Sequence, residues 1–266
     1  MDIGTAKPDQ ATRARIPHYM IDVADPADAF SVKQFQSIGR AVLESASTSH
    51  QRVLIVGGSG LHFRSLVDPM TFAPTDPDIR RELDAMELEE LQRSLLSIDA
   101  DAGNVLDMAN PRRIVRAIEV WRITSETPSY RAVSAEAIAV RTYKPFLEHI
   151  SFGLDAEGNL GARVEHRFSS MISSGLLEEV RLLAPTLGRT AAQAVGYKEL
   201  LAVVNDSEDL DAASQRAIVA TRALVKRQRT FFRRDPRIEW IPWQDDSDAT
   251  IGSIVNRIAE GAGWIS

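Results

Sequence analysis

The chain has 266 residues, 44% hydrophobic and 26% charged, no cysteine, and a formal net charge of −6. That is enough to bury a sizeable core in one large domain or two smaller ones, and the missing cysteines exclude disulfides, thiolate nucleophiles and cysteine-based zinc sites. No apolar run approaches the roughly 18 residues needed to cross a bilayer, and Met1-Asp2 opens no basic and apolar leader, so a cytoplasmic, membrane-free setting is expected.

Taken in order, residues 1 to 30 are punctuated by Pro8, Pro17 and Pro26 and read as loop with one short strand, Tyr19 to Val23. Ser31 with Gln34 three residues on forms a capping box, and Val32, Phe35, Val42 and Leu43 carry a helix to about Ser47. Arg52 to Val56 is a β-branched run predicted to be a buried strand; Gly57-Gly58-Ser59-Gly60 turns it into a helix from Leu61. Asp76-Pro77 and Asn110-Pro111 each place a capping residue before a proline at the first helical position. Residues 76–147 therefore read as an inserted helical domain within an α/β core formed by 1–75 and 148–266. In the second part of that core, Glu148 to Leu154 is predicted as strand, about 161 to 184 as helix, Ile238 to Ile241 as strand and about Ile251 to Ala259 as a last helix.

Three clusters could carry chemistry. In the turn at 57–60, glycines let backbone N–H groups approach an anion at a helix N-terminus, and Ser59 adds a hydroxyl. The same spacing also suits a plain strand-to-helix turn, since it is neither GxGxxG nor GxxxxGK. From Ala212 to Arg234 there is no acid, while Arg216, Arg222, Lys226, Arg227, Arg229, Arg233 and Arg234 give a local charge of +7, which leaves −13 on the rest of a chain of net −6. At 100° per residue, Arg222, Lys226, Arg229 and Arg233 share one stripe, and Ala217, Leu224, Val225, Phe231 and Phe232 lie on the far side. A solvated amphipathic helix is one reading. The other is contact with nucleic acid or polyphosphate, because cations without an acid at i,i+4 repel one another unless an external anion compensates. Arg112, Arg113, Arg116 and Arg122 make a third cluster along the helix opened by Asn110-Pro111, where cations at the N-terminus oppose the helix dipole and an external phosphate would relieve them. His18, His50, His62, His149 and His166 show no metal-ligand spacing, and no residue is assigned to a metal.

Several segments, taken together and in order, resemble the tRNA dimethylallyltransferase family. They are Met1 to Pro8, Pro17-His18, Ile21-Asp22, Asp25-Pro26, Val56 to Leu61, Asn110 to Ile114 continuing through Arg116 to Glu119, Gly175 to Leu177, Gln193 to Glu199, and Thr221-Arg222 through Lys226 to Gln228. The resemblance runs essentially end to end. It implies a nucleotide-binding, P-loop NTPase-like parallel-sheet core, classed with ATP-binding proteins and here lacking its N-terminal strand, with an inserted all-helical domain that grips the tRNA anticodon arm. The activity it implies moves a dimethylallyl group from dimethylallyl diphosphate, with Mg2+, to the exocyclic amine of the adenosine 3′ of the anticodon. Among residues, it implies catalytic roles for Ser59, standing where the family usually has Thr, and for Arg80. It implies diphosphate binding by Lys198 and Lys7, and tRNA binding by Arg112, Arg113, Arg116, Thr221, Arg222, Lys226 and Arg227. A monomer is expected.

The departure is at the front. The family's GxxxxGK loop and Asp-Ser segment precede the Met1 to Lys7 motif, and no GxxxxGK occurs in this sequence. The expectation is that these parts lie upstream of Met1, and that this chain alone exposes unpaired strand edges and is poorly soluble. Two alternatives to the enzyme stay open: a catalytically dead tRNA-binding remnant without P-loop and general base, and an acidic α/β domain whose basic helix serves another anionic partner.

Overall fold

The computed structural model describes residues 1–156, 160–245 and 247–265. It divides into two compact units, one formed by Met1–Leu66 with His149–Ser266 and the other by Val67–Glu148. The chain is mostly helical, with a small parallel sheet. In chain order come α1 (Gln10–Arg15), α2 (Val32–Thr48), α3 (Gly60–Val67), α4 (Pro77–Asp84), α5 (Leu88–Ile98), α6 (Ala102–Val105), α7 (Pro111–Thr124), α8 (Pro128–Ala132) and α9 (Ala135–Arg141). Then follow β1 (Ser151–Asp155), α10 (Leu160–Ser173), α11 (Leu176–Leu183), α12 (Tyr197–Val204), α13 (Leu210–Phe232), β2 (Ile238–Pro242) and α14 (Asp248–Gly261).

The first unit packs α10, α11, α12 and α13 around Val164, Phe168, Leu176, Val180, Tyr197, Leu200, Ala213, Ala217 and Ile218. Met1 and Ile3 pack against the same cluster, which ties the first residues to it. That tie is polar as well as apolar. Glu179 accepts hydrogen bonds from the backbone N–H of Asp2 at 2.6 Å, Ile3 at 3.0 Å and Gly4 at 3.3 Å, and from the hydroxyl of the buried Tyr197. Burial alone would raise the Glu179 carboxyl. The Tyr197 hydroxyl and the three N–H groups outweigh it and hold the carboxyl below its ordinary 4.5. Stability from this contact is therefore full above about pH 4.5 and lost as pH falls through the depressed folded value. Tyr197→Phe leaves a half-buried carboxylate short of one donor and is expected to cost about 1–3 kcal/mol at neutral pH. Urea melts of both proteins at neutral and acid pH check this: the difference should shrink below about pH 4, and a constant difference would remove Glu179 from the account.

The second unit is built on Leu83, Leu91, Leu95, Ala102, Ile114, Val115 and Ile118, drawn from α4 to α7. Its helix starts follow the sequence closely. The Asp76 carboxylate accepts from the N–H groups of Asp78 and Ile79 ahead of Pro77. Pro111 opens α7 in the same way, although Asn110 makes no side-chain cap. In the first unit the Ser31–Gln34 capping box forms as predicted.

Three predicted elements are corrected. Arg52 to Val56 is not a strand: β1 pairs with β2 in a parallel register, Ser151 opposite Ile238, and neither carries a ladder to this run. A β-branched sequence becomes a strand only where a neighbour satisfies its backbone N–H and C=O groups. Without one the run lies exposed, Leu54 by 63% and Val56 by 83%, instead of buried. Tyr19 to Val23 also forms no strand; Met20 and Asp22 adopt positive φ of 64° and 57°, which breaks any extended course. The helix predicted over about 161 to 184 is two helices. Gly175, at φ 96°, takes the left-handed conformation between α10 and α11 that a side chain would strain.

Candidate functional site

Ser59 stands at the start of α3, where its carbonyl accepts from Phe63 N–H at 2.9 Å. The turn before it is pressed onto α13. A Cβ added at Gly60 would fall 2.1 Å from the Phe231 ring, and one at Gly58 2.8 Å from the Gln228 amide. Glycine at 60 is thus what lets the helix N-terminus sit against the apolar face of the cationic helix. The Ser59 hydroxyl lies 2.6 Å from Nδ1 of His62, whose ring packs edge-on against Phe35 of α2 with centroids 4.6 Å apart. Burial lowers the His62 imidazole below its ordinary value, so it is neutral at neutral pH.

The far face of α13 supports its side of this contact. Ala217 and Ile218 are buried, and Leu224, Val225 and Phe232 are half-buried. Its charged face differs from the sequence expectation. The helix carries no acid of its own after Asp211, but other elements supply acids. Glu165 pairs with Arg222 at 2.5 Å, Glu208 with Arg216, and the Asp155 carboxylate at the end of β1 with both Arg229, at 2.9 Å, and Arg233. The argument that all seven cations need an external anion is therefore corrected to Lys226, Arg227 and Arg234, which make no ion pair among the described residues. Lys226 and Arg227 are exposed. Thr221 turns its hydroxyl back to the Ala217 carbonyl at 2.7 Å.

Of the two lysines assigned to diphosphate, Lys7 is already neutralised. It hydrogen-bonds both Asp2 and Asp22, which raises its ammonium above the ordinary value, and Asp22 is shared with Arg13 at 3.0 Å. Lys198, in the first turn of α12, is exposed and makes no ion pair among the described residues.

In the helical unit, Arg80 and Arg116 converge on one carboxylate that sequence reading passed over. Glu119 is fully buried and accepts from Arg80 at 2.6 Å, Arg116 at 2.7 Å and the Asp76 N–H at 2.9 Å. Burial alone would raise its carboxyl; Arg116, the Asp76 N–H and Arg80 together hold it below the ordinary range. Arg116 also donates to the Pro74 and Ala73 carbonyls, at 2.8 and 2.7 Å. Arg112 and Arg113 are exposed in the first turn of α7 and make no side-chain ion pair among the described residues. The Arg116-x-x-Glu119 spacing was a readable signal for this clamp, as Ser59-x-x-His62 was for the other pair. Among the described residues no group of three or more His, Asp or Glu side chains converges as metal ligands. These residues do not by themselves form a Mg2+ site.

Fold and site define a mostly helical protein of two units in which a glycine-rich turn carrying a serine hydroxyl packs on a cationic helix, some of whose cations have no ion-pair partner among the described residues. Comparison with known proteins gives this class a family. The model of the IPP transferase family matches residues 1–235. The tRNA dimethylallyltransferase of Bifidobacterium longum is 36% identical over 91% of this chain and 73% of its own length, and that of Acidothermus cellulolyticus 37% identical over 100% and 82%. The full-length tRNA isopentenylpyrophosphate transferase of Bacillus halodurans superposes with a TM-score of 0.67 at 28% identity, covering 99% of this chain and 84% of its own. A eukaryotic dimethylallyltransferase acting on tRNA has a TM-score of 0.75 at 18% identity, over 97% and 69%, which supports the fold. The chain belongs to the IPP transferase family of tRNA prenyltransferases. Among the described residues no helix is long and apolar enough to cross a membrane.

Proposed function

We propose that this protein binds the anticodon arm of tRNA and transfers a dimethylallyl group from dimethylallyl diphosphate to the exocyclic amine of the adenosine 3′ of the anticodon. The observation that carries this reading is the Ser59 turn seated on α13, whose Lys226 and Arg227 are exposed and make no ion pair among the described residues. An anionic backbone would meet those cations on the solvent side of α13 while a flipped-out base reached the hydroxyl of the turn packed on the apolar side. In the reaction the amine nitrogen forms a bond to the allylic carbon, the carbon–oxygen bond to diphosphate breaks with its electron pair leaving on oxygen, and the amine loses one proton to solvent water. Ser59 holds the amine in line; Lys198, not the neutralised Lys7, offers the free charge for the leaving diphosphate. In the helical unit Arg112, Arg113 and Arg116 provide phosphate contacts, with Arg112 and Arg113 free of ion pairs among the described residues, and Arg80 keeps a catalytic role while paired to Glu119. Mg2+ would supply charge neutralisation of the diphosphate when bound. The setting is cytoplasmic.

The test is incubation of the chain with dimethylallyl diphosphate, Mg2+ and an anticodon stem-loop, followed by mass analysis of the adenosine and by binding at several salt concentrations. Alkylated adenosine establishes transfer. Binding without alkylation establishes the tRNA-binding remnant instead. With about five phosphates contacted on a single-stranded loop, log K should fall with log salt at a slope near −3.5. Equal affinity for an unrelated polyanion would remove tRNA from the reading.

A further inference from the structure

A serine ahead of a helix ordinarily turns its oxygen to the N–H two or three residues on. Ser59 instead meets the His62 ring, 2.6 Å from Nδ1. His62 is held there by the edge contact with Phe35 and by the helix turn that places residues three apart on one face. A neutral imidazole has one donor and one acceptor nitrogen, and a hydroxyl can fill either role. With Nδ1 as acceptor, Ser59 must spend its only proton on His62, and both oxygen lone pairs are left for an incoming N–H donor. With Nδ1 protonated, the bond reverses and the hydroxyl proton points outward.

We infer that His62 is a positioning residue which, by accepting the Ser59 proton at Nδ1, fixes the Ser59 oxygen as the hydrogen-bond acceptor for the amine of the target adenosine. The inference rests on the tRNA reading above and adds to it the basis on which adenine is told from a base lacking that amine. An amine is a donor through its N–H groups, so a Ser59 that presented its own proton outward would oppose it. The direction of the Ser59–His62 bond therefore becomes a specificity element, set by the charge of one ring. Charged groups carried by the elements packed at this turn are Lys33, Arg40 and Glu44 on α2, Arg64 on α3, and Asp211, Arg216, Arg222, Lys226, Arg227 and Arg229 on α13 with Asp235 beyond it. Burial is the cause of the lowered imidazole.

The experiment compares the affinity of the protein for two anticodon stem-loops, one with adenosine and one with unsubstituted purine at the target position, from about pH 5 to about pH 8. Taking the ratio cancels the general effect of pH on phosphate binding. The parent protein should prefer adenosine by about fivefold at neutral pH, the worth of one hydrogen bond, and lose the preference as pH falls and His62 charges. His62→Phe keeps the ring edge against Phe35 and removes the acceptor, so it should show no preference at any pH. His62→Asn restores an acceptor oxygen near the Nδ1 position without a titrating group, and should prefer adenosine throughout. A preference unchanged in His62→Phe overturns the role of His62 and leaves the tRNA reading intact. Failure of either stem-loop to bind better than an unrelated polyanion overturns both.

Discussion

Glu119→Ala is expected to destabilise the helical unit by about 3–5 kcal/mol, because it removes the carboxylate shared by two arginines while leaving their charges in place. Glu119 has no solvent-exposed surface, yet it stays ionised, held by Arg80, Arg116 and the Asp76 N–H. The same carboxylate fixes three separate stretches of the unit: α4 through Arg80, α7 through its own backbone and Arg116, and the 73–76 segment through Asp76 N–H and the Arg116 bonds to Ala73 and Pro74. Alanine leaves the Asp76 N–H unpaired and a cavity where the buried carboxylate stood at once. Arg80 is 43% exposed and Arg116 32%, so both guanidiniums can turn partly to water, which places the effect toward the lower end of that range. Because the Glu119 carboxyl is depressed, its contribution is fully present above about pH 4.5 and lost as pH falls through its folded value. Hydrogen exchange over α4 and α7 in the full chain is the direct measurement: protection in these helices should collapse while that of α10 to α13 holds. A loss below about 0.5 kcal/mol, the range of ordinary surface substitutions, would show that the clamp carries no stability.

What was legible in the sequence were devices that act locally. Ser31 with Gln34 and Asp76 with Pro77 announce helix starts because the groups involved lie within one turn, and both form as read. The 238–241 strand could be placed because alternating burial is written into it, and β2 follows at Ile238–Pro242. The run Arg52 to Val56 misled because strand formation is decided by a neighbour, which propensity does not encode. Gly175 was visible as a glycine, but the helical pattern continues on both sides of it, so periodicity alone joined α10 to α11. At the site, the cations of α13 were plain, whereas their partners Glu165, Asp155 and Glu208 come from other elements that only the fold brings near. A charge run in one helix says nothing about acids arriving from elsewhere. Glu119 was hidden for a related reason: a charged residue in an apolar helix reads as a surface position until burial shows otherwise.

Ser59→Ala is expected to lower dimethylallyl transfer by about 10²-fold, the scale seen when one hydrogen-bonding group aligned with a reacting atom is removed. The affinity for an anticodon stem-loop should change much less, since one hydroxyl at a single base adds little to a complex held by phosphates. Lys226→Ala with Arg227→Ala should do the opposite. Both side chains lie outside the apolar face that seats α13, and neither is paired to an acid among the described residues, so their loss should leave folding nearly unchanged. Each lost contact to a single-stranded loop should flatten the salt slope by about 0.7, with a matching fall in affinity and little change in turnover at saturating tRNA. Arg222 is a weaker test than either, because neutralising it also frees Glu165, now its partner at 2.5 Å. Turnover and binding measured on the same two variants separate chemistry from docking: if Ser59→Ala weakened binding as much as transfer, or if the double cation variant lost turnover at saturation, the hydroxyl and the cationic face would be acting as one binding surface, and the division of labour between α3 and α13 would fall.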